Sequence, residues 1–334
     1  MRVVEIVGGG VCGLGLGVGL RGRGVPVVVR EAGTYPRHKV CGEFLNGVTF
    51  ETLRALGIEE VFSDALRHWK TRWWVGGREV LSRRLRRPAL GISRFEMDDR
   101  LAALFVKKGG VLRTQERVRR EAAEGRVWTA GRRLEKGSAL VGLKAHFSGI
   151  EVCGLEMHLG RGGYLGLAPV KEGVNVAGLF SKQDGVKVAW QPLLEEVGLG
   201  ELAERLATGE MEKGSLSGVA ALQLGTQKRE IGLCVLGDAD RMIPPVTGNG
   251  MSMALEAAEC ALEPLERWSR GEVEWAGARR VIATRLDRRF WRRMWLAQGL
   301  HQLLTNRLGQ PMLTAAAVSG AVPFDRLHRE LVGA

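Results

Sequence analysis

Val3-Val4-Glu5-Ile6-Val7-Gly8-Gly9-Gly10-Val11-Cys12-Gly13 opens the stretch, running on to Glu31, whose reading decides the fold. Val3, Val4, Ile6 and Val7 read as a short buried strand. Gly8, Gly10 and Gly13 then give G-x-G-x-x-G. In that pattern the first glycine permits a tight turn. The second lets backbone approach a pyrophosphate, and the third lets the following helix pack closely on the strand. The helix N-terminus aims free N–H groups at the phosphates. A second strand, Val25–Val29, runs to Glu31, 18 residues past Gly13. That is close to the ~20 expected for a carboxylate on the adenosine ribose. Strand, glycines, helix, strand and acid in this order predict a dinucleotide site, without separating FAD from NAD. One feature runs against the helix: Gly15, Gly17, Gly19 and Gly22 fall inside it, each costing up to ~1 kcal/mol against alanine.

The second signature lies near the other end. Ile231–Leu236 reads as a strand, followed by Gly237-Asp238-Ala239 and then Pro244-Pro245-Val246-Thr247-Gly248-Asn249-Gly250-Met251. A helical stretch, Ser252–Arg267, follows. Asp238 at a strand end is placed to bond a ribityl hydroxyl. The backbone of Gly248, Asn249, Gly250 and Met251 is placed to reach a flavin pyrimidine edge, where the helix dipole favours a reduced, anionic ring.

Together the two signatures resemble the flavoprotein superfamily of aromatic hydroxylases and geranylgeranyl reductases. The resemblance covers most of residues 1–270 and implies FAD, with Asp238 on the riboflavin moiety and Gly248–Met251 as the glycine-rich loop. Pro36-Arg37-His38-Lys39-Val40-Cys41-Gly42-Glu43-Phe44-Leu45 is similar to the K-x-C-G segment of the reductase branch, which implies a cysteine, Cys41, beside the flavin. Ser93-Arg94 with Asp98 resembles the arginine-bearing helix near the cofactor. Leu143-Lys144-Ala145-His146-Phe147 resembles a strand motif of CGEF-type bacterial oxidoreductases, some encoded beside type III polyketide synthases. The expected cofactor-binding set is therefore Gly8, Gly10, Gly13, Glu31, Arg37, Arg94, Asp238, Gly248, Asn249, Gly250 and Met251. There are departures. The family's mid-chain Asp-Gly is here Ala130-Gly131-Arg132-Arg133, and Leu112–Ala130 is short for the strands that precede it. With no second G-x-G-x-x-G, NADPH or NADH is expected only as a transient reductant. The W-x-W-x-I-P of flavin halogenases is absent, and Trp73-Trp74 does not match it.

The implied fold is α/β: a Rossmann-like FAD/NAD(P)-binding fold of three layers (ββα), interleaved with an antiparallel-sheet substrate domain and C-terminal helices. The FAD part takes residues 1–61, 93–137 and 224–270. A cap takes 62–92 and 138–223, and 271–334 forms a helical segment. Within the cap, Thr71–Val75 and Val80–Leu85 flank Gly76-Gly77, a hairpin signal. Further strands are expected near Val141–Phe147, Val152–His158, Tyr164–Ala168 and Val174–Phe180, with a helix over Gln191–Ala207. The crevice between the layers is where a hydrophobic substrate belongs.

Two residues are candidates for chemistry. Cys41 reads as a thiol beside the isoalloxazine, or as a small buried residue before a turn glycine. His146 and Lys144 share one sheet face. That face points either into the flavin cavity, with His146 as acid or base, or to solvent. The function read from these residues is an FAD-dependent oxidoreductase acting on a polyketide-like or isoprenoid-like molecule, by hydroxylation or by hydride transfer. A flavin-binding carrier or partner subunit without turnover is the alternative.

Composition narrows the setting. The chain has 334 residues, 45% of them apolar, and a formal charge of +12, mostly from arginine. Such charge suits a phosphate-bearing cofactor, acidic lipid or nucleic acid, or simply a solvated face. Nucleic acid is disfavoured, since no recognition motif accompanies the charge. In the C-terminal part, arginines from Arg279 to Arg293 lie among Phe290, Trp291, Met294 and Trp295. This pattern fits either peripheral membrane contact or a helix packing its aromatics on the core. Five cysteines in no CxxC pair argue against a disulfide framework or zinc site, and no metal is assigned. Glu5 interrupts what would otherwise resemble a leader peptide. A cytoplasmic protein, with membrane association left open, is the expectation.

Overall fold

The computed structural model describes residues 1–132, 138, 140–181, 190–306 and 308–332. The chain begins β1 (Val4–Val7), α1 (Val11–Gly22), β2 (Val27–Arg30), β3 (Phe44–Leu45), α2 (Phe50–Leu56), β4 (Leu66–Val75), β5 (Arg78–Gly91) and α3 (Arg94–Lys107). It continues β6 (Val111–Arg113), β7 (Arg126–Trp128), β8 (Leu140–Ser148), β9 (Leu155–Gly160), β10 (Gly163–Val170), β11 (Gly173–Ser181), α4 (Trp190–Glu196) and α5 (Gly200–Ala207). It ends β12 (Glu210–Met211), β13 (Ser217–Ala220), β14 (Gly225–Thr226), β15 (Cys234–Val235), β16 (Arg241–Met242), α6 (Gly250–Ser269), α7 (Trp275–Thr305), α8 (Gly309–Val318) and α9 (Phe324–Val332).

A wholly parallel sheet runs β15-β7-β1-β2-β6. Its strands are short and rich in valine and isoleucine, as strands buried on both faces must be. Ile6 sits between Val29 and Val127. Helices α1, α3 and α6 cover one face and share one core with it. On the other face Val7, Trp128, Val235 and Ala239 form a small cluster with Val118. No strand lies among residues 114–125, so the second β layer of the expected three-layer arrangement is replaced by an irregular crossing.

The glycines of α1 belong to a helix, and their cost is offset by close packing. Val11 to Leu20 are all buried. A Cβ on Gly17 would lie 2.9 Å from the Phe105 ring, and one on Gly19 would lie 2.7 Å from Leu262. Removing the side chain lets α3 and α6 approach the α1 backbone.

The second sheet has nine strands, ordered β12-β8-β11-β10-β9-β4-β5-β3 with β13 also on β8. Gly76 and Gly77, both with positive φ (52° and 71°), turn the β4–β5 hairpin. One face of this sheet packs on α4 and α5 through Leu143, Phe147, Val176 and Leu202. The expected single helix over Gln191–Ala207 is two, because Gly198 takes a left-handed φ of 77° after α4. The other face, carrying Gly142, Lys144, His146, Met157 and Tyr164, looks towards the parallel-sheet domain.

Candidate flavin cleft

The turn after β1 is built by steric exclusion. Gly8 has a φ of +110°, and a Cβ there would lie 2.5 Å from the Ala130 backbone. A Cβ on Gly13 would lie 2.0 Å from the Gly8 carbonyl oxygen, so the third glycine seats α1 on the turn. Gly10 differs: the nearest atom to its absent Cβ is the Arg94 guanidinium at 3.9 Å. Its smallness leaves open space in front of the helix. Gly10 caps α1 without a side-chain bond, and no acid occupies the first turn. The first N–H groups of α1 therefore face the cleft, with the helix dipole favouring an anion there.

Glu31, buried behind β2, accepts from Gly9 N at 2.7 Å, Gly33 N at 2.8 Å and the Arg37 guanidinium at 2.8 Å. Burial works against its ionisation. The Gly33 N–H, the Lys39 and Arg37 charges and the Gly9 N–H outweigh it, and the carboxyl sits below the usual range. Arg37 is thus fixed beside Glu31. Arg94 opens α3, whose N-cap Ser93 accepts from Phe95 N at 3.1 Å. Its guanidinium grips Asp98 twice, at 2.9 and 2.8 Å, and Lys39 joins the same carboxylate at 2.7 Å. The pair holds Arg94 rigidly in front of Gly10.

At the far end, Asp238 follows β15 on a short 3-10 turn. Burial pushes its carboxyl up, opposed by Arg94 and Arg132. Gly248 is left-handed (φ 66°), and a Cβ on it would lie 2.1 Å from the Phe44 ring. Gly250 and Met251 begin α6. Asn249 points away: fully buried, its amide donates to the Asn46 carbonyl at 3.1 Å and the Leu331 carbonyl at 3.0 Å. It fastens the glycine loop to α9 and does not line the cleft.

The cleft between the two sheets has a volume of about 800 Å3. Its walls bring together Gly8, Gly10, Glu31, Arg37, Cys41, Arg94, Asp238, Gly248, Gly250 and Met251. The cap contributes Gly142, Gly166, Ala177 and Gly178, small residues that leave room for a planar group, with Met157 and Tyr164 beside them. The cleft fits a dinucleotide on two observations. Its helix N-terminus is uncapped, and Arg132 Nε is buried on its wall with no hydrogen-bond partner among the described residues. Arg133 lies outside the described residues.

His146 is 3% exposed and does not line this cleft. The shared sheet face expected for Lys144 and His146 is present, and it looks into neither the cavity nor solvent. Both pack round Glu43, whose carboxylate meets His146 Nε2 at 2.5 Å, Lys144 Nζ at 3.2 Å and Arg94 N at 3.1 Å. Glu43 is held in the left-handed region (φ 56°), where a non-glycine residue carries strain that its surroundings must fix. His146 Nδ1 then meets the half-exposed Glu212 at 3.0 Å, and Lys144 Nζ meets His38 Nδ1 at 2.8 Å. His38, in place of His146, is the histidine on the cleft wall. Burial and the Lys144 and His146 charges lower its pKa. The donor atoms of His38, Glu43 and His146 lie within 4.8 Å of one another, a spacing a metal ion could use. The Lys144 ammonium, bonded to both His38 and Glu43, already supplies the positive charge there. Cys41 lines the cleft, its sulfur 3.5 Å from Glu43 N; burial raises its pKa, with Arg94 opposing.

A smaller, mainly apolar cavity of about 100 Å3 lies between the cap sheet and the C-terminal helices. Trp73, Leu81, Leu159, Leu313, Ala317 and Phe324 line it, and it shares Phe44 and Met157 with the cleft.

His38 and Arg132 were not among the expected site residues. His38 and Lys39 stand inside the Pro36–Leu45 segment that was read for Cys41. A cation, Lys39, two residues before the cysteine was the available signal. Arg132 stands in the Ala130-Gly131-Arg132-Arg133 stretch read as a departure from the family motif, and its nearness to Asp238 depends on a strand distant in the chain.

Residues 1–131 match the FAD binding domain family. Among solved structures, p-nitrophenol 4-monooxygenase from Pseudomonas putida is 14% identical with a TM-score of 0.77, covering 99% of this chain and 97% of that one. A geranylgeranyl bacteriochlorophyll reductase-like protein from Thermoplasma acidophilum is 17% identical with a TM-score of 0.74, covering 99% and 96%. The flavin-dependent brominase Bmp2 is 18% identical with a TM-score of 0.77, covering 99% and 93%. At such identities the likeness establishes the fold alone. Comparison with curated protein sequences gives no match.

Proposed function

We propose that this chain, whose residues 1–131 match the FAD binding domain family, is an FAD-dependent oxidoreductase acting on a hydrophobic small molecule. The family match and the fold agree with the superfamily that its motifs resemble. One observation carries the reading. A single cleft runs from the uncapped N-terminus of α1, past Asp238 and the Gly248–Met251 loop, to the small-residue face of the cap, and touches an apolar side cavity.

In this arrangement α1 and Arg94 would hold the pyrophosphate, Glu31 the ribose, and Asp238 the ribityl chain. FAD, when bound, would supply two-electron chemistry at its ring. The cap excludes water and presents apolar surface to the substrate. His38, neutral because its pKa is lowered, accepts from the Lys144 ammonium at Nδ1 and so carries its proton on Nε2, a hydrogen-bond donor for the substrate, and Lys144 orients its ring. Cys41 lies on the same wall, largely as the protonated thiol. An apolar side cavity and the reductase-like Lys39–Gly42 segment support a polyketide-like or isoprenoid-like substrate.

The test begins with the visible spectrum of purified protein, followed by anaerobic titration with NADPH and with NADH. A flavin band bleached by one of them supports the reading and names the reductant. Protein that is colourless and retains no FAD after reconstitution overturns it. A flavin that binds but cannot be reduced points instead to a carrier without turnover. Label from heavy oxygen in the product separates hydroxylation from hydride transfer.

A further inference from the structure

We propose that the outer face of α7, continued onto α8, docks this protein peripherally on an anionic membrane surface. α7 is two-sided. Phe290, Met294 and Ala297 are buried against the core. On that side Arg289 and Arg293 reach Glu256 of α6 at 2.7 and 2.8 Å, and Arg285 reaches Glu263 at 2.6 Å. These cations are neutralised within the protein. The opposite side carries Arg288, Trp291, Arg292 and Trp295, whose spacing of three and four places them on one stripe.

That stripe is unlike an ordinary solvated face. Trp291 is 60% exposed and Trp295 71%. Arg288 and Arg292 have no carboxylate partner among the described residues, and the contact Arg292 makes is with the Trp291 ring, 5.5 Å away. Beyond it the exposed apolar positions continue at Leu303, Leu308, Met312 and Val318. No acidic residue occurs between Asp287 and Asp325, and Asp287 is itself engaged by Arg229 and Arg241. The surface is therefore apolar, indole-bearing and purely cationic. Indoles and arginines in this combination suit the headgroup level of an anionic bilayer. A second copy is a poor occupant, because a symmetric contact would set unpaired arginines against one another. Among the described residues no helix is long and apolar enough to cross a membrane, so the contact is with the surface.

The same helix α8 that exposes Met312 and Val318 turns Leu313 and Ala317 into the apolar cavity. Docking would thus bring one wall of that cavity to the lipid. The docking itself stands whether or not the oxidoreductase reading holds.

The experiment is sedimentation of the intact flavin-loaded protein with vesicles of phosphatidylcholine alone and of phosphatidylcholine with phosphatidylglycerol. Binding to the anionic vesicles only is expected, with indole emission quenched by brominated lipid. Trp291→Ser with Trp295→Ser, and separately Arg288→Gln with Arg292→Gln, should each weaken partitioning roughly tenfold or more. Salt near 1 M, where the Debye length is about 3 Å, should release the wild type. None of the four residues lines the cleft, so flavin content and melting temperature should stay at wild-type values. Failure to partition onto anionic vesicles, equal partitioning of the variants, or a dimer by light scattering whose indole emission resists acrylamide quenching would each overturn the proposal.

Discussion

Three glycines spaced as in one motif carry three different constraints, and substitution separates them. In Gly10→Ala the new methyl meets nothing closer than 3.9 Å, so the protein should fold with its melting temperature unchanged and lose FAD during purification. In Gly13→Ala the methyl would lie 2.0 Å from a backbone oxygen. That variant should lose about 3 kcal/mol or more of stability, measured by urea unfolding of the apoprotein. Glu31 gives a pH prediction. Its folded-state pKa lies below the ordinary carboxylate value of about 4.3. Its hold on Gly9 and Gly33 is therefore fully present above that pH and is lost as pH falls through the lowered folded value. Thermal stability should drop on acidification below about pH 4, and Glu31→Gln should remove part of that drop. For His38 the shift is also downward. Its Nδ1 can accept from Lys144 only while the ring is neutral, so turnover should hold below about pH 6.5 before falling. His38→Gln should lower kcat about 100-fold or more with KM little changed and the flavin spectrum intact.

At the scale of elements, α1 shows how composition misleads when the neighbours are unknown. Its glycines argue against a helix by propensity, yet the helix forms because α3 and α6 occupy the space the side chains would need. The two kinds of glycine in it are distinguishable. Gly22 has no atom within 4 Å of its Cβ position, so Gly22→Ala should stabilise the protein by up to ~1 kcal/mol. Gly17→Ala gains the same propensity but presses on Phe105 and should destabilise, and thermal melts of the two variants side by side would decide it. Local pattern was enough for β1, α1, β2, the β4–β5 hairpin and the strands from β8 to β11, because each carries its own periodicity or turn glycines. It was not enough for α4 and α5, where a single glycine with positive φ divides one amphipathic run. The cleft residues within Gly8–Glu31, Cys41, Arg94, Asp238 and the glycine loop were legible because their spacing encodes a shape. The inward burial of His146 and the inward amide of Asn249 were not. Each is decided by a partner more than 80 residues away in the chain: Glu43 for the first, Leu331 for the second.

Seen whole, the molecule is one interleaved unit in which neither sheet is made from consecutive chain. The parallel sheet takes its central strand from residues near 5, its inner neighbour from residues near 127 and its edge from residues near 235. Residues 1–131, the span of the family match, lack β15 and α6. Expressed alone, that fragment should aggregate and remain colourless, because Leu255 and Leu262 of α6 are what cover the glycine side of α1. A soluble, yellow fragment would contradict this. The packing of α1 against α6 also sets an order of events in the cell. Translation passes the Gly8–Gly13 turn about 240 residues before it reaches α6, an interval of roughly 10–50 s at ribosomal rates of about 5–20 residues per second. Through that interval α3 can emerge to cover Gly17, but the flank of α1 at Gly15 and Gly19 waits for Leu255 and Leu262 of α6. Flavin loading is thereby deferred to the close of synthesis, and the stretch most in need of a holding chaperone is the one made first.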